Sequence, residues 1–395
     1  MATNKSTSTP PPTPTPTPTP TEPAHILFVG AGAVGCFYAS RLHHPSQNVY
    51  TSLTARSNYS AIAASGVVLH THSFGTYNFW PYAVFPSISA AVPNSSSPSP
   101  SPSPSPSPSL STNHSSSSQT LPQHGWDYII VTTKALPDRS DDAALIAPLV
   151  SAKSCIVLIQ NGVGVEEPYR KRFPQNPIVS AVTVVSAEQI KNGVIRQNRW
   201  TRISLGPYGS GLTAPPSSTA KSAEVVRRGY ECMEQLAHWW DKYGGIRDVE
   251  THTELELQTI RWHKLCINAA FNPTAVLSGG RGNADQLTDS ELREHIIGIM
   301  KEIWNAAPKV LGKPFPDNLA TPDRIIRSTE RNTGARPSML LDWEAGRPME
   351  LEVILGNPVR IARAAGVEMP KLQSLYALLR SMQKVREDKK TKEKL

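Results

Sequence analysis

In the run Arg261-Trp-His-Lys-Leu-Cys-Ile-Asn-Ala-Ala-Phe-Asn-Pro273, Lys264, Asn268 and Asn272 stand at i, i+4 and i+8, one stripe along one helix face. A lysine is protonated near neutral pH, and asparagines donate hydrogen bonds without adding charge. Such groups are costly to bury without partners in an otherwise apolar helix, so the stripe is expected to line a cavity. A solvent-facing stripe is the alternative, which the apolar neighbours Leu265, Cys266, Ile267 and Phe271 do not contradict. Pro273 cannot donate a backbone hydrogen bond, so the helix is expected to kink or open near Ala269. Downstream, Gly346-Arg-Pro348 ends one short helix and starts the next, with Pro348 in its first turn. That leaves Glu350 near a helix N-terminus, an ordinary favourable place for a carboxylate, and Ser338 after Pro337 as an ordinary capping candidate.

A second constellation lies near the start. Residues 25–42 read as a short apolar strand, a tight turn and a helix, with Gly30, Gly32 and Gly35 at G-x-G-x-x-G spacing. The first glycine permits the turn, the second lets backbone approach a pyrophosphate, and the third lets helix pack on strand. The unpaired amides of the new helix then face the phosphates. Glycines after a buried strand can be turn chemistry alone, but the flanking strand and helix favour dinucleotide binding. The next strand, 48–56, ends in Arg56, roughly 20 residues past the glycines, where such folds read the ribose. A cation there favours the 2′-phosphate of NADP(H) over NAD(H); an exposed strand-end arginine is the alternative. Two later apolar strands, 126–134 and 154–162, end in Lys134 and Asn161. Open parallel sheets bind ligands beyond these carboxyl ends, although ordinary strand-end polarity looks the same.

The elements that must position these groups fall into two regions. Residues 1–23 are a Thr/Pro tail that lacks apolar groups to offset the entropy of ordering, and 94–119 are a Ser/Pro insertion. Between and after them, 24–215 alternates strand and helix, with a further strand at 194–205 suited to a sheet edge. Residues 216–384 turn to helix, expected at 221–243, 252–277, 288–311, 322–330, 338–345, 349–365 and 370–384, before a basic tail at 385–395. Trp239, Trp240 and Trp304 read as core. Length fits two domains.

The net charge of +8 is partly this tail, whose residues 384–395 hold six Lys/Arg against three Asp/Glu. No basic stripe interleaved with aromatics marks a nucleic-acid partner. The four cysteines lack metal-type spacing and read as free thiols, and no run is apolar enough for a membrane span or a secretory signal. A cytoplasmic protein acting on a small molecule is expected, and its helical region could support a homodimer.

Taken together, these motifs resemble the ketopantoate reductase family (2-dehydropantoate 2-reductase) from His25 to about Gln383. The resemblance implies a Rossmann-type α/β domain followed by an all-α domain like the C-terminal domain of 6-phosphogluconate dehydrogenase. It implies that Gly30, Ala31, Gly32, Ala33, Val34, Gly35 and Arg56 bind NADPH/NADP+, with Lys134, Asn161 and Glu350 also at the cofactor. It further implies that Lys264 is the general acid for reduction of a 2-keto acid, that Asn161, Asn268, Asn272 and Ser338 hold the substrate, and that Glu350 organises the site. Ser278-Gly-Gly-Arg-Gly282 departs from the family, which often has a further asparagine shortly after Asn-Pro; here it comes at Asn283.

Overall fold

The computed structural model describes residues 22–93, 121–209, 211 and 220–393. The Thr/Pro tail but for its last two residues, the Ser/Pro insertion and the expected boundary after 211 lie outside them.

Ten strands form one sheet among the described residues: β1 (Ala24–Val29), β2 (Val49–Thr54), β3 (Val67–Thr71), β4 (Gly75–Phe79), β5 (Val84–Phe85), β6 (Tyr128–Val131), β7 (Cys155–Leu158), β8 (Ile178–Lys191), β9 (Val194–Pro207) and β10 (Val249–Thr251). Their order is β4-β3-β9-β8-β7-β6-β1-β2-β5, with β10 added beside β9. The pairs from β5 through β2, β1, β6 and β7 to β8 are all parallel, so these strands need cover on both faces. β1 shows how this is met: Ile26 and Phe28 join one apolar cluster while Leu27 and Val29 join the other. The first cluster is closed by the helix Ala33–Ser40 and by Met233, Leu236, Trp239 and Trp240.

The helix Ala220–His238 that carries Met233 and Leu236 therefore covers the sheet, although it opens the region read as helical from sequence. β9 also departs from expectation. It is an interior strand, antiparallel to β8 on one side and flanked on the other by β3 at Val194–Gln197 and β10 at Ile203–Leu205. Only between those neighbours is it an edge, which is where its polar run Asn198-Arg199 is exposed.

Beyond β10 the described chain is helical. The central helix Glu254–Leu277 opens on a capping box, Thr253 Oγ1 accepting from the Glu256 amide and Glu256 Oε2 from the Thr253 amide. It runs unbroken through Pro273, so the expected opening does not occur. Against it packs Ser290–Leu311, whose Ile296, Ile299, Met300 and Ile303 recur at helical spacing. Pro322–Glu330, Ser338–Glu344, a π-turn at Glu352–Gly356 with Asn357–Ala364, and Pro370–Lys392 complete the region. The last helix continues through most of the basic residues read as a tail. Pro348 precedes the helical turn rather than starting it. Trp304 is partly buried against this core, its ring 4.5 Å from that of Phe315. No described helix is long and apolar enough to cross a membrane.

Candidate active site

The glycine turn joins β1 to the helix Ala33–Ser40, and its three glycines meet different surroundings. Gly30 has φ +116°, and a Cβ there would lie 3.0 Å from the Thr133 amide nitrogen. At Gly35 a Cβ would fall 2.2 Å from the Gly30 carbonyl oxygen, so the third glycine is a packing requirement. At Gly32 it would meet nothing within 4 Å. The turn is thus closed on the protein side and open on the outer side, above the first amides of a helix that lacks a side-chain cap at Gly32. That geometry fits a pyrophosphate. The Thr132 hydroxyl donates to the Gly30 carbonyl at 2.7 Å, and Asn58 Nδ2 donates to the Ala31 carbonyl at 2.7 Å, fixing the turn from two sides. Ala33 and Val34 begin the helix. Arg56 is exposed just past β2, the strand whose Thr54 hydroxyl accepts from the Gly30 amide.

The ends of β6 and β7 reach the helical region. Asn161 follows β7, and its amide bridges two groups: Oδ1 accepts from Lys264 Nζ at 2.9 Å, while Nδ2 donates to Glu350 Oε2 at 3.4 Å. Lys264 also donates to the Thr183 carbonyl of β8 at 2.7 Å. Burial and the nearby Arg261 guanidinium push its amine down to about 8, with Glu350 opposing them. Glu350 is buried, which raises its carboxyl; the Ala135 amide, Lys134 and Asn161 act against that shift. Asn268 lines the same cleft as Lys264 and Asn161, one turn along the helix. Asn272, a further turn along, is buried.

Among the described residues, two expected ones make no hydrogen bond to this group. Lys134 is held in an ion pair by Asp342, which Arg347 also reaches at 3.1 Å. Ser338 is exposed at the first turn of its helix, and among the described residues no hydrogen bond joins it to the Lys264 group. Asn283 lies at the start of the short helix Asn283–Gln286.

Several contributors escape a reading by sequence. Arg261 and Glu166 form a buried ion pair at 3.1 Å, each side chain 2% exposed. Asn58, Thr183, Gln258 and Asp342 likewise act through partners far along the chain. The one signal for Arg261 is its place three residues before Lys264, within a turn on the same helix.

Two family models match the chain, ketopantoate reductase PanE/ApbA over residues 26–210 and its C-terminal counterpart over 256–383. The chain belongs to the ketopantoate reductase family. It is 25% identical over 377 residues to an uncharacterised protein of Saccharomyces cerevisiae, covering 90% of this chain and 92% of that one. To a 2-dehydropantoate 2-reductase of a Nostoc species it is 24% identical over 352 residues, covering 89% and 93%. The crystal structure of 2-dehydropantoate 2-reductase from Methylococcus capsulatus superimposes with a TM-score of 0.68 at 30% identity, covering 92% of this chain and 97% of that one. As a member of this family the chain is an oxidoreductase, and its Rossmann-type domain is a nicotinamide dinucleotide site.

Proposed function

We propose that this ketopantoate reductase family member reduces 2-dehydropantoate to (R)-pantoate with NADPH, a step toward pantothenate and coenzyme A. The observation that carries the reading is the bridge Lys264–Asn161–Glu350 at the carboxyl end of β7, the side of the sheet on which the glycine turn opens. The nicotinamide, when bound, supplies hydride to the 2-keto carbon. Lys264 donates the proton that the developing alkoxide oxygen needs, and Asn161 aims the amine by accepting one of its hydrogens. Asn268 and Asn272, on the same helix face, hold the substrate's carboxylate or hydroxyl without adding charge. Arg56 binds the 2′-phosphate and so favours NADPH.

With its pKa near 8, Lys264 is mostly protonated at neutral pH. Reduction needs the protonated form, so kcat is expected to fall as pH rises through about 8. The test is NADPH oxidation with ketopantoate, pyruvate, 2-ketoisovalerate and oxaloacetate, for wild type and Lys264→Ala. Preference for ketopantoate, with kcat lowered roughly 10²- to 10⁴-fold in the variant and NADPH binding retained, is the expected result. Preference for another keto acid would keep the mechanism and replace the substrate. No turnover with any of them, with NADPH still bound, would make the chain a nucleotide-binding regulatory module.

A further inference from the structure

The Arg261 side chain is enclosed at the joint between sheet and helices, and its donors are distributed over three separate segments. Nη1 donates to the carbonyls of Gln160 at 2.8 Å and Gly162 at 2.9 Å. Nη2 donates to Ser180 Oγ at 2.5 Å and to the Ala181 carbonyl at 3.1 Å. Nε faces Glu166, whose Oε1 also accepts from Ser180 Oγ at 2.6 Å and Gln258 Nε2 at 2.9 Å. The two carbonyls on Nη1 belong to the residues on either side of Asn161. Gly162 is itself wedged against the π-turn that follows Glu350, where a Cβ would fall 2.3 Å from the Val353 carbonyl oxygen.

We propose that Arg261 is a positioning residue for the reaction: by gripping the chain on both sides of Asn161, it fixes the amide that holds Lys264 and Glu350 in register. A buried ion pair is weak support for stability, because desolvating both ions offsets their attraction, so its retention here is explained better by placement than by strength. Arginine suits the place because its guanidinium aims three nitrogens at once, Nη1 at the carbonyls beside Asn161, Nη2 at Ser180 and Ala181, and Nε at Glu166, where a lysine offers one. The charged groups bearing on Lys264 are Arg261 on its own helix and Glu350 across the cleft, with Glu166 neutralising Arg261 and Lys134 and Asp342 bearing on Glu350.

The inference rests on Lys264 as proton donor, so the test includes a readout that needs no turnover. Trace labelling of amines with acetic anhydride across a pH series, read on the Lys264 peptide by mass spectrometry, gives the pH at which that amine loses its proton. Arg261→Lys keeps the charge for Glu166 but loses the fork. It is expected to lower kcat about 10- to 100-fold with the KM for NADPH unchanged, and to move the Lys264 midpoint down, because the ammonium loses the Asn161 acceptor and its register with Glu350. Asn161→Ala removes the same acceptor with Arg261 in place; it is expected to move the midpoint down as well, and the double variant to move it no further. Downward shifts that do not add support the proposal. An unchanged or upward midpoint in Arg261→Lys, or shifts that add in the double variant, would overturn it as mere packing or general loosening. If Arg261→Lys does not fold, the same cycle with Arg261→Gln decides: shifts that do not add support the proposal, and additive ones overturn it. If wild type reduces no keto acid, the functional reading fails while the labelling still decides the role of Arg261.

Discussion

The proposed preference for NADPH rests on one exposed side chain, Arg56. It follows β2 by two residues, and its charge is felt by Asp142, whose carboxyl burial raises and Arg56 draws partly back down. A 2′-phosphate would bring a stronger, charge-assisted partner to the same guanidinium. Replacing Arg56 with Asp is expected to raise the KM for NADPH about 10- to 100-fold and to leave that for NADH nearly unchanged. Steady-state kinetics with both cofactors checks it, and equal effects on the two would remove Arg56 from the nucleotide site. At this scale sequence and structure agree on where the residue stands, because a strand end is defined by local pattern. Lys134, also a strand-end cation, gains in the fold a partner that no local pattern shows, Asp342.

The turn between β1 and its helix shows how one short element combines a packing constraint with a binding one. Gly35 has backbone at 2.2 Å from where a Cβ would stand, while Gly32 has open space and an ordinary negative φ of −83°. Gly35→Ala is therefore expected to destabilise the protein by about 1–3 kcal/mol, since the colliding atom is a carbonyl that the helix and strand hold in place. Gly32→Ala is expected to melt like wild type and to bind NADPH more weakly, because its methyl group enters the space a pyrophosphate would use. Thermal melts and NADPH fluorescence titrations of the two variants separate these effects. Loss of stability in Gly32→Ala, with affinity intact, would reverse the assignment. The G-x-G-x-x-G spacing made the turn legible from sequence, since strand and helix periodicity on either side leave few ways to join them. The same local reasoning misplaced β9, whose polar alternation reports only the short stretch without a neighbour.

Across the whole molecule the site is a joint. The Val163 amide donates to the Val353 carbonyl at 2.9 Å, Asn357 Nδ2 to the Val163 carbonyl at 2.9 Å, and the Ala135 amide to Glu350 Oε1 at 3.2 Å, all between strand-end loops and the helical region. The Ser/Pro insertion enters and leaves elsewhere. On its two sides, the Trp126 indole donates to the Ala91 carbonyl at 2.9 Å, and Val92 and Leu121 pack on one apolar cluster. The chain is thus pinned before and after the segment, and shortening a loop changes its closure entropy by only about 0.6 kcal/mol per halving. Deleting residues 94–119 is expected to leave both melting temperature and activity close to unchanged. A large loss of either would show that the segment is an ordered part of the protein.

By itself the sequence determined the glycine turn, the parallel strands at 126–134 and 154–162, most helices of the second region and the stripe Lys264–Asn268–Asn272. These follow from steric and hydrophobic periodicity within a few residues, which any local stretch carries complete. Only the tertiary structure decided that Lys264 meets Asn161, that Asn161 meets Glu350, and that Arg261 and Glu166 close into a buried pair behind them. Those partners lie far apart along the chain, and no local pattern encodes them. A charged residue in an apolar helix looks the same whether it faces water or a countercharge until the sheet and the helices are packed together.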